Sequence, residues 1–482
     1  MTGAEYPLLA RGRLFQELLV QAAGHDVALP EAPDPAALLA ETRAALHRRP
    51  ALAGAASAQA ALAGLEAARA QAADPGFVLL AHAGACPERA LARFAPDALG
   101  LEDPAYAEAA AHRVPQVPPS GFGTLVLIVK LTRRCNLRCT YCNDWREGEG
   151  NAMTPATQAL MLRRIAEDAA TASVRLIWHG GEPALLGARR MLGFLWLQAR
   201  LLRPGQRVGH SLQTNGTVLT EPVLALWRLF GFSVSVSLDG PRRIHDSQRP
   251  ARHGEGSFAA AASGIARLRE AGIFGGALVV VTPEIAALPP ADLVAGLLEA
   301  GVNRAGFLPV RPDARTGQGP YLSPRAFAGF LIGVFDHLRR HPSLDFDVRE
   351  IDALHAAWQR RQTSFCELEG PCTGQYFGID PDGSVQHCDK FLGDQDFRLG
   401  NLAEDTLAEL RDSAALGEVA RRAALARARL SGCRWFGHCR GWCPHEAHIA
   451  QRRGSAGGCC GLAPVFDHFE MLATAGASCA TA

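Results

Sequence analysis

Apolar positions change their spacing three times along the chain. From residue 9 to about 94 they recur every three or four residues among alanines and charged side chains, the period of amphipathic helices. The spacing predicts helices over Leu9–Ala23, Asp34–Arg48, Ala51–Ala73 and Pro87–Phe94. Asp34-Pro35 is a good helix start, since aspartate caps free amides and proline suits the first helical position. The proline-rich run Val114-Pro115-Gln116-Val117-Pro118-Pro119-Ser120-Gly121 then marks a boundary.

From about 122 to 325 short apolar runs alternate with helical patterns. The runs lie at 124–130, 174–178, 208–213, 232–238, 276–282 and 304–310. Between them come Pro155–Ala170, Arg189–Leu202, Glu221–Leu229, Ser257–Ala271 and Pro290–Ala300. This alternation predicts parallel strands with crossover helices. Six units are too few for a closed eight-fold barrel. The expected fold is therefore α/β, a partial (β/α)6 TIM-like barrel over 121–325, with a helical N-terminal extension over 1–120. A helical bridge over 326–361 (Phe327–Arg340, then Glu350–Arg361) leads to a cysteine-rich domain over 362–470. The tail, 471–482, is expected to be disordered.

Composition narrows the setting. A formal net charge of +1 gives no reason to expect nucleic acid or an acidic membrane surface as a partner. No apolar run reaches the length of a membrane span. The start, Met1-Thr2-Gly3-Ala4-Glu5-Tyr6, lacks a basic segment followed by an apolar core, so a cytoplasmic protein is expected. Thirteen cysteines in such a chain point to reduced thiols and metal. Cys86 stands alone and reads as a small buried residue, and Cys479 is left unassigned.

Three of the thiols crowd into Cys135-Asn136-Leu137-Arg138-Cys139-Thr140-Tyr141-Cys142, just after the first strand-like run. No disulfide scheme uses three so close together. A zinc site wants a fourth ligand nearby. A cubane iron–sulfur cluster takes four ligands, so three would leave one iron open. The spacing Cys-x3-Cys-x2-Cys resembles that of the radical S-adenosylmethionine (SAM) enzymes, in which the open iron of a [4Fe-4S] cluster chelates SAM. One electron then breaks a carbon–sulfur bond and makes a 5′-deoxyadenosyl radical. Three later blocks extend the resemblance: Trp178-His179-Gly180-Gly181-Glu182-Pro183, Gln213-Thr214-Asn215-Gly216-Thr217, and Ser235-Val236-Ser237-Leu238-Asp239-Gly240-Pro241 with Ile244-His245-Asp246-Ser247-Gln248-Arg249. By this resemblance Gly180, Gly181 and Glu182 meet the amino group of SAM, Gln213, Asn215 and Ser237 line the pocket, and Arg249 holds the SAM carboxylate. Asp239 is read either as part of this pocket or as a cap on the turn that follows.

The C-terminal cysteines form a second pattern. Cys366-x5-Cys372 precedes Tyr376–Cys388, whose Asp380-Pro381-Asp382-Gly383 segment is a hairpin signal that folds Cys388 back towards Cys372. Cys433-x5-Cys439-x3-Cys443 and Cys459-Cys460 follow. The order resembles the SPASM domain, which carries one or two auxiliary [4Fe-4S] clusters. The resemblance assigns Cys366, Cys372, Cys388 and Cys443 to the first, and Cys433, Cys439 and a late cysteine to the second. Leu430 stands where the family pattern has a further cysteine, so the second cluster is one ligand short unless both Cys459 and Cys460 bind. Sterically, adjacent cysteines are expected not to reach one cluster together. Asp389 follows a cluster ligand directly, at the place of the proposed base of the sulfatase-maturating enzymes; alternatively it only accepts a backbone hydrogen bond at a turn.

These resemblances imply a radical SAM/SPASM oxidoreductase acting on a peptide or protein substrate, with an electron donor such as a flavodoxin or ferredoxin. Cys388-Asp389-Lys390-Phe391 with Gly393-Asp394 favours crosslink formation in a ribosomally made peptide. Formylglycine formation on a sulfatase is the alternative, and a non-catalytic zinc-binding scaffold is the remote one.

Overall fold

The computed structural model describes residues 7–30, 34–48, 63, 66, 75–112, 123–146, 148, 150–203, 206–313, 317–361, 365–369, 372–391, 394–453 and 459–479. The expected linker Val114–Gly121 lies outside them, as does the expected helix Ala51–Ala73 except at residues 63 and 66.

The strands are β1 (Gly123–Thr132), β2 (Thr171–Gly180), β3 (Arg207–Thr214), β4 (Ser233–Ser237), β5 (Phe274–Val281), β6 (Arg304–Pro309), β7 (Asp347–Val348), β8 (Tyr376–Ile379), β9 (Ser384–His387) and β10 (Arg398–Asn401). They form one sheet in the order β10-β9-β8-β1-β2-β3-β4-β5-β6-β7. From β1 to β7 each strand pairs in parallel with the next. The end strands do not meet, so the α/β barrel is partial, as expected, with the two-residue β7 added to its far edge. The predicted hairpin forms β8 and β9, and β8 joins the near edge of β1 in parallel, Leu127 opposite Phe377.

Alternation along the strands separates two faces. On the outer face Leu176, Trp178, Leu212, Val234, Val236, Val279 and Val281 are buried under the crossover helices. The inner face carries Ser211 and Gln213 on β3 and Ser233, Ser235 and Ser237 on β4, none of them fully buried. A closed barrel packs bulky branched side chains inside. Here the inner face of β3 and β4 is polar instead.

Before β1, the helices Pro7–Ala23, Pro35–Arg48 and Pro75–Ala85 share an apolar core of their own around Leu8, Leu38, Leu46 and Leu79. This unit docks on the outer helices: Arg11 donates to the Leu229 carbonyl at 2.6 Å, and Trp196 Nε1 to the Phe94 carbonyl at 2.9 Å. At the other end the tail departs from expectation. Helix Ala463–Cys479 continues through residues expected to be disordered. Val465, Phe466 and Phe469 are buried, with Phe469 against Phe335 and Trp358, and this anchored turn carries the alanine-rich remainder onward as helix.

Candidate functional site

β1 releases the chain at Thr132 into the loop bearing Cys135, Cys139 and Cys142. The loop is clamped by the segment that ends β2. Gly181 donates to the Thr132 carbonyl at 2.6 Å and Glu182 to the Arg134 carbonyl at 2.8 Å. A Cβ at Gly180 would stand 2.2 Å from the Thr132 oxygen, and one at Gly181 2.1 Å from the Arg134 oxygen. Only glycine permits this approach, and Gly180 also adopts φ +112°.

Glu182 is fully buried, and its two oxygens accept from the Ala184 amide (2.9 Å), the Thr214 hydroxyl (2.7 Å) and the Asn215 amide (2.7 Å). Burial nonetheless holds its carboxyl above the ordinary range. Glu182 thus staples the glycine pair to the end of β3. Beside it Gln213 donates to Ser237 Oγ at 2.8 Å, and Asn215 Nδ2 reaches Asn136 Oδ1 at 2.8 Å and Cys135 Sγ at 3.8 Å.

Arg249, which the resemblance assigns to the SAM carboxylate, lies beside the cluster loop. Its Nε and Nη2 hold both oxygens of the buried Asp239 at 2.8 and 3.1 Å, and its Nη1 lies 3.8 Å from Cys139 Sγ. Asp239 also accepts from Tyr141 and from the Val280 amide, so it does not cap its own turn. The pair ties the cluster loop to β4 and β5.

Around Lys130 lies a set of charges that the motifs did not reveal. This lysine ends the apolar run of β1 and is 1% exposed. Its Nζ lies 2.5 Å from Asp389 Oδ1, 2.7 Å from Asp144 Oδ2 and 2.8 Å from His179 Nδ1. Arg133 pairs with Asp144 and, at 2.5 Å, with Asp380. Burial alone would lower the Lys130 pKa, but Asp144 and Asp389 outweigh it and keep the ammonium charged. Burial likewise pushes Asp389 up, and Lys130 with His179 more than reverses this. A charged residue in a buried strand was the available signal, because such a group requires partners.

The hairpin returns Cys388 as predicted, its amide donating to the Tyr376 carbonyl at 3.2 Å. Cys388 takes a left-handed φ of 60°, which costs a residue with a β-carbon about 1–2 kcal/mol. Cys372 is within electrostatic reach of Cys366 and Cys388, and Cys388 of Cys443. Lys390 Nζ is 3.7 Å from Cys443 Sγ and pairs with Glu367. A separate group joins Cys433, Cys439, Cys459 and Cys460. Cys460 Sγ is 3.7 Å from Cys439 Sγ, and Cys459 hydrogen-bonds Cys433. The chain bends at Cys459, and each of the adjacent pair meets a different sulfur of this group.

The donor set suits iron–sulfur clusters. Cys86 and the eleven cysteines of the two cluster patterns are free of disulfides. Several sulfurs accept the amide two residues on: Leu137 to Cys135, Asp144 to Cys142 and Gly441 to Cys439, each at 3.4 Å. Such hydrogen bonds stabilise thiolate charge. Burial pushes the Cys135 thiol up to about 12 and Cys139 to about 11, so metal binding must displace protons there. Among the described residues no three His, Cys, Asp or Glu side chains converge as for a single ion. Among those residues, too, no helix is long and apolar enough to cross a membrane.

Comparison with known proteins gives the same picture. The family model of the radical SAM superfamily matches residues 129–287, and that of the SPASM iron-sulfur cluster-binding domain matches 371–440. A serine-type anaerobic sulfatase-maturating enzyme of Klebsiella aerogenes is 30% identical over 338 residues, 69% of this chain and 82% of the relative. A cysteine-type enzyme of Clostridium perfringens is 27% identical over 333 residues, 66% of this chain and 88% of the relative. The solved structure of histidine-tagged anSMEcpe with bound AdoMet superposes with a TM-score of 0.60 at 26% identity, covering 67% of this chain and 89% of that one. The chain therefore belongs to the radical SAM enzymes with a SPASM domain, whose cofactors are a [4Fe-4S] cluster, SAM and auxiliary clusters, and it is kin to the anaerobic sulfatase-maturating enzymes.

Proposed function

We propose that this enzyme oxidises a side chain of a ribosomally made peptide and closes a crosslink on it. The observation that carries the reading is Asp389, a carboxylate held beside Cys388 by Lys130 and still 31% exposed. Cys135, Cys139 and Cys142 would hold a cluster by three thiolates, and with SAM that cluster would supply the radical chemistry that removes a hydrogen atom. Gly180, Gly181 and Glu182 shape the floor of the SAM pocket, Gln213, Asn215 and Ser237 line it, and Arg249 steadies Cys139 from behind. Asp389 then takes the substrate's proton. Cys366, Cys372, Cys388 and Cys443 would hold an auxiliary cluster, which would supply an electron acceptor. The substrate loses a hydrogen atom, a proton and an electron, two hydrogens in all, and a new bond takes their place. An electron donor such as a flavodoxin or ferredoxin would supply the reducing electron.

Two features favour a crosslink. The segment Cys388-Asp389-Lys390-Phe391 resembles crosslink-forming maturases. The helical unit with its own core precedes the matched span that begins at residue 129, and is a surface on which a precursor can be held. Formylglycine formation is the second reading, favoured by the serine-type and cysteine-type relatives. The test is anaerobic turnover with candidate precursor peptides and sulfatase peptides. A product two hydrogens lighter that resists a hydrazide reagent supports the crosslink. A hydrazide-trapped aldehyde supports formylglycine, and SAM cleavage with neither product overturns both.

A further inference from the structure

The second group of sulfurs carries an inference of its own. Its spacing lacks a ligand at Leu430, whose side chain is apolar and buried at the end of helix Ala414–Leu430. Four sulfurs nevertheless gather there. Cys433 hydrogen-bonds Cys459, Cys459 lies next to Cys460, and Cys460 Sγ stands 3.7 Å from Cys439 Sγ with no disulfide between them.

The backbone around the pair is arranged for negative sulfur. Gly461 adopts φ +95°, which curls the chain after Cys460. Its amide then donates to Cys459 Sγ at 3.2 Å, and the Leu462 amide hydrogen-bonds Cys460. Trp435 does the same for Cys433 and Gly441 for Cys439. All four sulfurs thus accept the amide two residues on, as Cys135 and Cys142 do in the SAM-cluster loop. Cys86 of the N-terminal unit is the contrast: its thiol donates to the carboxylate of Glu88 at 3.9 Å.

We propose that Cys459 and Cys460 both ligate the second auxiliary cluster, completing a four-thiolate set with Cys433 and Cys439 in place of the ligand missing at Leu430. The assignment rests on the sulfur positions and the amides facing them, and holds whichever peptide product the enzyme makes. It gives this chain a closed second cluster, with no iron left open for substrate.

Reagent access makes the proposal testable. Cys459 is exposed, and both residues border a surface cleft of about 1220 Å³. The full chain is loaded with iron and sulfide anaerobically, alkylated with iodoacetamide, then denatured without reductant and mapped by mass spectrometry. Protection of both residues in the loaded protein, and labelling of both after iron is chelated away, is the expected result. Labelling of either in fully loaded protein overturns the proposal, as does recovery of the pair two hydrogens lighter as a disulfide. A second arm uses Cys459→Ala and Cys460→Ala separately. Each should lose about a third of the iron, one cluster of three, or change the spectrum of the reduced auxiliary clusters. Iron and spectrum identical to the parent in either variant also overturn it.

Discussion

Lys130 Nζ and Asp389 Oδ1 are 2.5 Å apart, an ion pair joining the end of β1 to the residue after Cys388. The lysine is almost fully buried and shared with Asp144. Breaking a buried pair from one side leaves an uncompensated charge and costs about 3–5 kcal/mol. Lys130→Met should therefore lower the denaturation midpoint of the loaded enzyme markedly, where Lys130→Arg should lower it less. Equal stability of Lys130→Met and the parent would mean that the pair does not form.

Asp389→Asn should separate two steps that normally run together. SAM cleavage depends on the cysteine loop and should persist. Modified peptide should fall by roughly two to four powers of ten, the usual weight of a positioned base. Both products are measured in one anaerobic reaction, after iron content has been matched to the parent. Normal coupling in the variant would leave Asp389 as a partner of Lys130 and nothing more.

Alanine at Cys135, Cys139 and Cys142 together should abolish 5′-deoxyadenosine formation and leave about two thirds of the iron in place, since only one of three clusters loses its ligands. Undiminished cleavage would contradict the assignment of this loop.

Gly181→Ala tests the clamp on that loop. The new methyl group would meet the Arg134 carbonyl at 2.1 Å, backbone against backbone, so the loop must shift. SAM binding should weaken at least tenfold with auxiliary-cluster iron unchanged, read by equilibrium dialysis and iron analysis. Unaltered SAM affinity would show that the contact is not needed.

Acid should destabilise the fold through two buried histidines. Burial lowers the pKa of His210 from 6.5 to about 3 and that of His245 from 6.5 to about 4. His210 Nδ1 accepts from Trp178 Nε1 at 3.0 Å, and His245 Nδ1 from the Asp239 amide at 3.2 Å, roles that need the neutral ring. The unfolded chain binds these protons more readily than the folded one. Stability is thus full above about pH 6.5 and declines as pH falls towards 4, by a few kcal/mol per histidine. A urea midpoint that is the same at about pH 7 and pH 5 would contradict this.

Much of the barrel is legible in the sequence because its signals are local. Apolar runs alternating with helical patterns mark six strands, and Asp380-Pro381-Asp382-Gly383 marks the hairpin. The cysteine spacings and Gly180-Gly181-Glu182 point to the site. What escapes depends on distant partners. Lys130 reads as the end of a strand until Asp389, 259 residues later in the sequence, is placed beside it. The partnership of Arg249 with Asp239, ten residues earlier, is not announced by either motif. The fate of Cys459 and Cys460 turns on a bend that no side-chain pattern announces. Helix Ala463–Cys479 hides in the sequence because its anchors, Phe466 and Phe469, precede the small-residue stretch they hold in place.

The pairing of β8 with β1 fixes a length. Leu127, Ile128 and Val129 face Phe377, Gly378 and Ile379 along the ladder; β1 leads on to Cys135, and the hairpin from β8 returns through β9 to Cys388. The gap between the two cysteine sites is therefore gauged by main-chain hydrogen bonds, which no side-chain substitution rescales. The cysteine-rich module cannot swing away like a lid without tearing the sheet.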